Sequence, residues 1–271
     1  MTSYTVLGAS GFLGSALVRS LRSKGANVLT PARTESLAGR QLGHVIYCIG
    51  LTADFRQRPF DTVKAHVSFL SDVLENSDFQ SLLYLSSTRV YAGACVTQED
   101  SPLTVTPGNA SDLYNLSKLL GEALCLNCGK SNVRVARLSN VVGYDPGSGN
   151  FLMSLIAEAL SGKVRLGTAL SSCKDYIDLD DVISLLPRIA QSGRKTLYNV
   201  ASGQNMTHQE VCSVLQKTTG CLVEEIRGAV PQQFPGIDVQ RIEEEFAFHA
   251  SDPLLHVPQI IERWKDDSLV R

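Results

Sequence analysis

The stretch that most constrains the fold is Tyr4-Thr5-Val6-Leu7, running into Gly8-Ala9-Ser10-Gly11-Phe12-Leu13-Gly14. A helical pattern follows, with Leu13, Leu17, Val18 and Leu21 on one side. A short apolar strand, a glycine-rich turn and a helix are the context in which a chain can bind a dinucleotide. The first glycines permit a tight turn and let backbone N–H groups approach a pyrophosphate. The last lets the helix lie close to the strand, with its positive end toward the phosphates. The spacing is Gly-x-x-Gly-x-x-Gly, so its weight comes from its place at the first strand–helix junction. Gly8, Ser10, Gly11, Phe12, Leu13 and Gly14 are the expected cofactor contacts.

The rest of the first half continues an α/β alternation. Strands are expected at 27–31, 44–50 and 81–85, a helix at 59–76 with Val63, Val67, Leu70, Val73 and Leu74 buried, and another strand at 133–138. Only about ten residues join the second and third strands, short for a strand–helix–strand crossover, so one sheet strand is expected to be shortened or missing. An acidic residue at the end of the second strand would bind the adenosine ribose of NAD. Here Thr30 ends the strand and Arg33 follows, which favours the 2′-phosphate of NADP; Glu35 is a rival that keeps NAD as the alternative.

The helix expected from Leu113 carries Tyr114 and Lys118 at i and i+4, on one face. A free phenol titrates near pH 10, too high for a base at neutral pH, and a neighbouring ammonium would pull it down. Leu116, Leu119, Leu120 and Leu124 read as the stripe against the core, and Asp112 as the helix cap. The strand at 81–85 ends in Ser86-Ser87-Thr88, where open α/β sheets bind ligands, so Ser87 could hydrogen-bond a substrate oxygen.

After Leu138 the alternation breaks. A loop spans 145–150, a helix 151–160 and a short strand 163–166. Asp180 or Asp181 is expected to open the helix at 182–186, a last strand covers 197–201, and 207–271 reads as helices with a break at 230–236. The whole predicts a Rossmann-type doubly wound parallel sheet with a small, mostly helical C-terminal lobe. Residues 1–142 and 175–202 form the dinucleotide-binding domain, and 143–174 with 203–271 the substrate lobe. A net charge of −2 with 19% charged residues gives nothing to attract nucleic acid. No apolar run reaches the ~20 residues of a membrane helix, and a cytoplasmic protein is expected. The seven cysteines, including Cys125-x-x-Cys128, and the five histidines show no metal-site spacing.

These landmarks, together with Leu85-Ser86-Ser87-Thr88-Arg89-Val90-Tyr91, Arg137-Leu138-Ser139-Asn140-Val141-Val142-Gly143, Lys174-Asp175-Tyr176-Ile177 and Tyr198-Asn199-Val200-Ala201-Ser202-Gly203, occur in one order along the chain. Together they resemble the extended short-chain dehydrogenase/reductases, the NAD(P)-dependent epimerase/dehydratase family that acts mainly on nucleotide-sugars. The resemblance runs from Thr5 to about Val211.

It implies roles by position. Tyr114 is the catalytic acid/base, Lys118 its partner and a contact of the nicotinamide ribose, and Ser87 the hydroxyl on the reacting oxygen. Gly50 passes under the adenosine, and Ser139, Asn140 and Val141 lie along the nicotinamide and sugar. Asn150 is near the nucleotide-sugar phosphates, and a homodimer through the helices 59–76 and 114–128 is expected. Where dehydratases carry an Asp-Glu pair this chain has Thr88 and Arg89. They are assigned to the substrate, with Arg89 reaching a substrate anion or pairing with Glu99 or Asp100. His66 replaces an asparagine. Beyond the resemblance, Arg227 and Arg241 read first as surface charge and second as candidate phosphate contacts. The implied activity is reduction of a keto-sugar nucleotide. A 4-epimerase with tightly bound NAD and a non-catalytic NADP-binding sensor or scaffold are the alternatives.

Overall fold

A computed structural model describes residues 1–33, 35–37, 39–52, 54–145 and 150–269. Positions 146–149 of the expected loop therefore lie outside the described residues. In chain order the first half gives β1 (Ser3–Leu7), α1 (Phe12–Ser23), β2 (Asn27–Leu29), β3 (His44–Tyr47), α2 (Pro59–Val63), a π-turn (Lys64–Ser68), α3 (Phe69–Asn76), β4 (Ser81–Ser87), a 3-10 turn (Thr88–Tyr91) and α4 (Asp112–Asn127). The second half gives β5 (Val133–Leu138), β6 (Asn140–Val142), α5 (Phe151–Leu160), β7 (Lys163–Thr168), β8 (Cys173–Asp178), α6 (Leu179–Ser192), β9 (Leu197–Val200), β10 (Asn205–Thr207), α7 (His208–Thr219), β11 (Leu222–Val230), α8 (Gln240–Phe246) and α9 (Val257–Leu269).

Six strands form one parallel sheet in the order β2-β1-β3-β4-β5-β9. Its central strands are apolar on both faces because helices cover both. On one face α1 and α6 bring Leu17, Leu21, Val182, Leu185, Leu186 and Ile189 against Val6, Ile46, Leu83 and Ala136. On the other, Leu70, Val73 and Leu74 of α3 and Cys125 of α4 pack on Val45, Tyr47, Leu82 and Val135. Each such valine, leucine or isoleucine side chain contributes about 1.5–3 kcal/mol by leaving water. Among the described residues no strand lies outside β2, as the short connection to β3 predicts. The topology sends β1, β3, β4 and β5 the same way, so their C-terminal ends share one edge. A second core joins α5, β7, α7 and α9 through Leu155, Ile156, Val164, Leu215, Val257 and Ile261.

Five details correct the sequence reading. Residues 207–271 are not helices alone: β11 pairs in parallel with β7, the expected strand at 163–166, and β10-β8-β6 make a further three-stranded sheet. β11 escaped pattern reading because most of its residues are exposed, leaving no inside–outside alternation. On α4 the buried face is Tyr114, Asn115, Ser117, Lys118, Gly121, Glu122 and Cys125, while Leu120 points outward at 51% exposure. The π-turn ahead of α3 carries His66 into the core and leaves Val63 exposed. Asp178, and neither Asp180 nor Asp181, caps α6 by accepting from the Asp180 N–H at 2.7 Å. Asp112 is the first residue of α4 and does not cap it; its carboxylate accepts from Thr106 N–H and the Asn115 amide.

Candidate active site

The glycine turn closes tightly: Gly8 sits at φ +86°, and the Gly11 N–H donates to the Gly8 carbonyl at 3.0 Å. A Cβ on Gly14 would stand 2.2 Å from that carbonyl, so only glycine lets α1 come so near the strand. Gly11 is the N-cap of α1 and offers no side-chain acceptor, so the amides of the first turn stay available to an anion. This is a fit for a dinucleotide pyrophosphate. Ser10 is exposed beside it, Phe12 and Leu13 are half-buried, and Phe12 packs where a side chain on Gly143 would clash. Past β2, Arg33 is exposed, while Glu35 is engaged by Arg40 at 2.6 Å and by the Ala32 N–H.

Tyr114 lies at the start of α4, where the helix crosses the C-terminal end of β4. Its phenol hydrogen-bonds the Ser87 hydroxyl, which also accepts from the Arg89 N–H at 3.2 Å. Burial raises the Tyr114 pKa, and the Ser87 bond and the Arg89 charge oppose the rise. Desolvation prevails here, so the lowering expected from Lys118 is not what the fold alone delivers. Lys118, 4% exposed, donates to the Leu85 carbonyl at 2.8 Å. Burial brings its pKa down to about 7, against the upward pull of Glu122 and Cys48.

His66 organises the floor of this site. Its Nε2 accepts from the Leu51 N–H at 3.1 Å, which puts the ring proton on Nδ1, 2.8 Å from Ser117 Oγ. Ser117 in turn donates to the Tyr114 carbonyl at 2.8 Å. Burial and the Lys118 charge hold the imidazole neutral, far below its usual range. Gly50 fits between: a Cβ there would be 3.4 Å from His66 Nε2 and 3.5 Å from Lys118 Nζ. The His66 ring meets Tyr114 edge-on at 5.4 Å, and Phe55 packs on Tyr114 at the same separation.

Behind the site runs a closed polar network. Arg137 donates to Glu122 at 2.7 Å and to Tyr91 at 2.6 Å, and Ser86 donates to Glu122 at 2.5 Å. Tyr91 donates to Asn199, whose N–H donates to Glu99. Arg241 closes it on Glu99, Asp100 and the Leu197 carbonyl, so it braces the 97–100 loop and is not free to hold a phosphate. Glu122 was missed by sequence reading, although it continues the Tyr114/Lys118 series at i+8.

The remaining expected residues divide between fold and cleft. Thr88 turns inward and donates to the Leu138 carbonyl at 3.3 Å, which ties it to the fold. Arg89 pairs with neither Glu99 nor Asp100, since Arg241 holds both; its guanidinium lies over the rings of Phe55 at 5.1 Å and Tyr114 at 5.5 Å. Asn140 donates to the Asp175 carbonyl, Ser139 is buried with its N–H on Val200, and Val141 packs on the main core. Asn150 caps α5 through the Met153 N–H. Arg227 is exposed on β11, at a distance in sequence and sheet from these groups.

The chain that carries this glycine cradle and buried Tyr–Ser–Lys group matches a family model. Residues 4–201 match the NAD dependent epimerase/dehydratase family, and the chain belongs to that family. A dTDP-4-dehydro-6-deoxy-D-allose reductase of Streptomyces bikiniensis is 23% identical, over 79% of this chain and 80% of its own. RMD from Pseudomonas aeruginosa, solved with NADPH, superposes with a TM-score of 0.80 at 20% identity, covering 98% of this chain and 100% of that one. MoeE5, solved with UDP-glucose and NAD, gives 0.79 at 23% identity, covering 98% and 99%. Among the described residues no helix is long and apolar enough to cross a membrane.

Proposed function

We propose that the chain reduces the keto group of a nucleotide-sugar. The observation that carries this is the Tyr114 phenol, buried, bonded to Ser87 and one helical turn from Lys118. In this reading Ser87 and Tyr114 share the substrate's carbonyl oxygen, and Tyr114 delivers the proton as that oxygen becomes an alcohol. Lys118 holds the nicotinamide ribose and, charged in the loaded site, opposes the burial that raises the phenol's pKa. A bound nicotinamide supplies the hydride. Gly8, Ser10, Gly11, Phe12, Leu13 and Gly14 would hold its pyrophosphate, Gly50 its adenosine side, and Ser139, Asn140 and Val141 the nicotinamide end. Arg89 and Asn150 are assigned to the substrate; Thr88 serves the turn that aims Ser87.

The relative from Streptomyces, a dTDP-4-dehydro-6-deoxy-D-allose reductase, supports the reduction. The engagement of Glu35 by Arg40 supports NADP over NAD, leaving Arg33 for a 2′-phosphate. Arg33→Ala should lower the preference for NADPH over NADH roughly tenfold, as loss of one charged hydrogen bond does. The exposed Phe60, Val63 and Leu120 support a homodimer through α2, α3 and α4.

The test is NADPH consumption with 4-keto nucleotide-sugars, a dTDP-4-keto-6-deoxyhexose and a UDP-4-keto-hexuronate. One NADPH used per keto-sugar supports the reductase. Cofactor that stays bound through purification and turns over with no net redox change would instead support the epimerase reading, for which MoeE5 with UDP-glucose and NAD is a structural parallel.

A further inference from the structure

The Arg89 guanidinium lies over the Tyr114 ring, and among the described residues no acid pairs with it. It is half-buried. Among the described residues no carboxylate lies within ion-pair distance, and its guanidinium donates no hydrogen bond; only its backbone N–H is used, by Ser87. The acid whose charge it feels, Asp112, has its oxygens occupied by Thr106 and Asn115.

Its other neighbours worsen the imbalance. Arg56, also over the Phe55 ring at 4.6 Å and donating to Ser111, adds like charge. Lys174 of β8 adds more: it lies over Phe151 at 5.0 Å and Phe234 at 5.8 Å, and the Arg89 charge disfavours its own. A partly desolvated guanidinium among like charges is costly unless an anion completes it. Phe55 and Tyr114 lie against it at 5.1 and 5.5 Å, and its fork of N–H donors, unused among the described residues, suits a planar acceptor.

We infer that Arg89 binds a carboxylate carried by the sugar ring, so that the substrate is a nucleotide-linked uronic acid or a keto derivative of one. This rests on the proposed function, because it uses Tyr114 to mark where the sugar lies. The diphosphate of a nucleotide-sugar is joined at the anomeric carbon, whereas Arg89 lies over the residue that must touch the reacting oxygen. A sugar carboxylate is therefore the anion that reaches it without displacing the reacting carbon.

The test is equilibrium binding of UDP-glucuronate, UDP-glucose and UDP to the NADPH-loaded protein, with dTDP-glucose as a second nucleotide, in wild type, Arg89→Met and Arg89→Lys. Wild type should prefer the uronate over the neutral sugar by roughly ten- to a hundredfold, the range of a charged hydrogen-bonded pair. Arg89→Met should erase that preference, and Arg89→Lys should keep only part of it, because an ammonium cannot form the two-point bond. Among the described residues the guanidinium donates no hydrogen bond and pairs with no carboxylate, and only the ring faces of Phe55 and Tyr114 lie against it, so its removal strands no polar group, and an unchanged melting temperature will verify folding. No uronate preference in wild type, or equal weakening of all ligands in Arg89→Met as contact with the diphosphate would give, overturns the inference while leaving the proposed function standing. Failure of every nucleotide to bind wild type overturns both.

Discussion

Two turns of α4 carry ionisable groups at the same depth and treat them in opposite ways. Lys118 and Glu122 are 4% and 2% exposed on one face of the helix. Glu122 is fully engaged, by Arg137 through three contacts of 2.7–3.2 Å and by Ser86 at 2.5 Å. Lys118 has one hydrogen bond among the described residues, to the Leu85 carbonyl, and no carboxylate within ion-pair distance. Burial at equal depth therefore produces a clamp at one turn and an ammonium whose proton is loosened at the other. The difference lies in what β4 and β5 place opposite. Ser86 and Arg137 meet Glu122, whereas the turn bearing Tyr114 and Lys118 faces the open edge of the sheet.

The largest effect should come from the open end. Tyr114→Phe is expected to lower turnover of the keto-sugar by 10²–10⁴-fold, the usual contribution of a positioned acid/base, with cofactor affinity retained. A variant turning over at the wild-type rate would remove Tyr114 from the chemistry. At the closed end, Glu122→Ala strands a buried guanidinium and should cost ~3–5 kcal/mol in urea unfolding. A loss under 1 kcal/mol would mean the clamp is not a clamp. Ser86→Ala removes one bond to that carboxylate and should cost ~1.5–3 kcal/mol.

Lys118 distinguishes the two ends by pH. Its folded pKa of about 7 lies below the ordinary lysine value, so between the two the unfolded chain holds a proton that the folded chain has lost. Stability from this residue must then rise with pH from about 7 to about 10, and below 7 the folded state bears the full cost of the buried cation. Replacing it with Met should make the cofactor-free protein more stable at pH 6, with the advantage shrinking by up to ~1.4 kcal/mol per pH unit above 7. A wild-type-minus-variant difference that stays flat across this range contradicts the assignment. The smallest effect belongs to the outer face, where Leu120→Lys should change monomer stability by less than ~0.5 kcal/mol while weakening any self-association measured by sedimentation.

The same helix shows where sequence reading succeeds and where it stops. The strands of the main sheet were legible because runs such as Leu82-Leu83-Tyr84-Leu85 are apolar on both faces. The Tyr114/Lys118 pair and Ser87 were legible through helical spacing and a strand end, and the structure brings them together. Of the leucines 116, 119, 120 and 124, Leu119 and Leu124 pack against the core, but Leu120 faces outward and most of the buried positions are polar, whereas periodicity assumes that what is buried is apolar. Here the buried polar groups are satisfied by partners such as Arg137 and Ser86, 15 and 36 residues away in sequence. The cap of α6 was missed by two or three positions in a run of aspartates. The inward turn of His66 depends on a π-turn that no local pattern announces, since its residues have ordinary helical composition.

That π-turn has a consequence for how this protein can change. It inserts one residue into a helical stretch, and the Ala65 carbonyl within it accepts the Tyr47 hydroxyl at 2.7 Å. Each helical residue advances the face by about 100°, so α3 presents Leu70, Val73 and Leu74 to the sheet only with the insertion in place. Deleting any one residue of 64–68 would let the segment anneal into a regular helix, and then His66 or the leucines could face inward, but not both. Substitutions along this stretch are graded in their effect, whereas a one-residue deletion forces a choice between an intact core and an intact site floor.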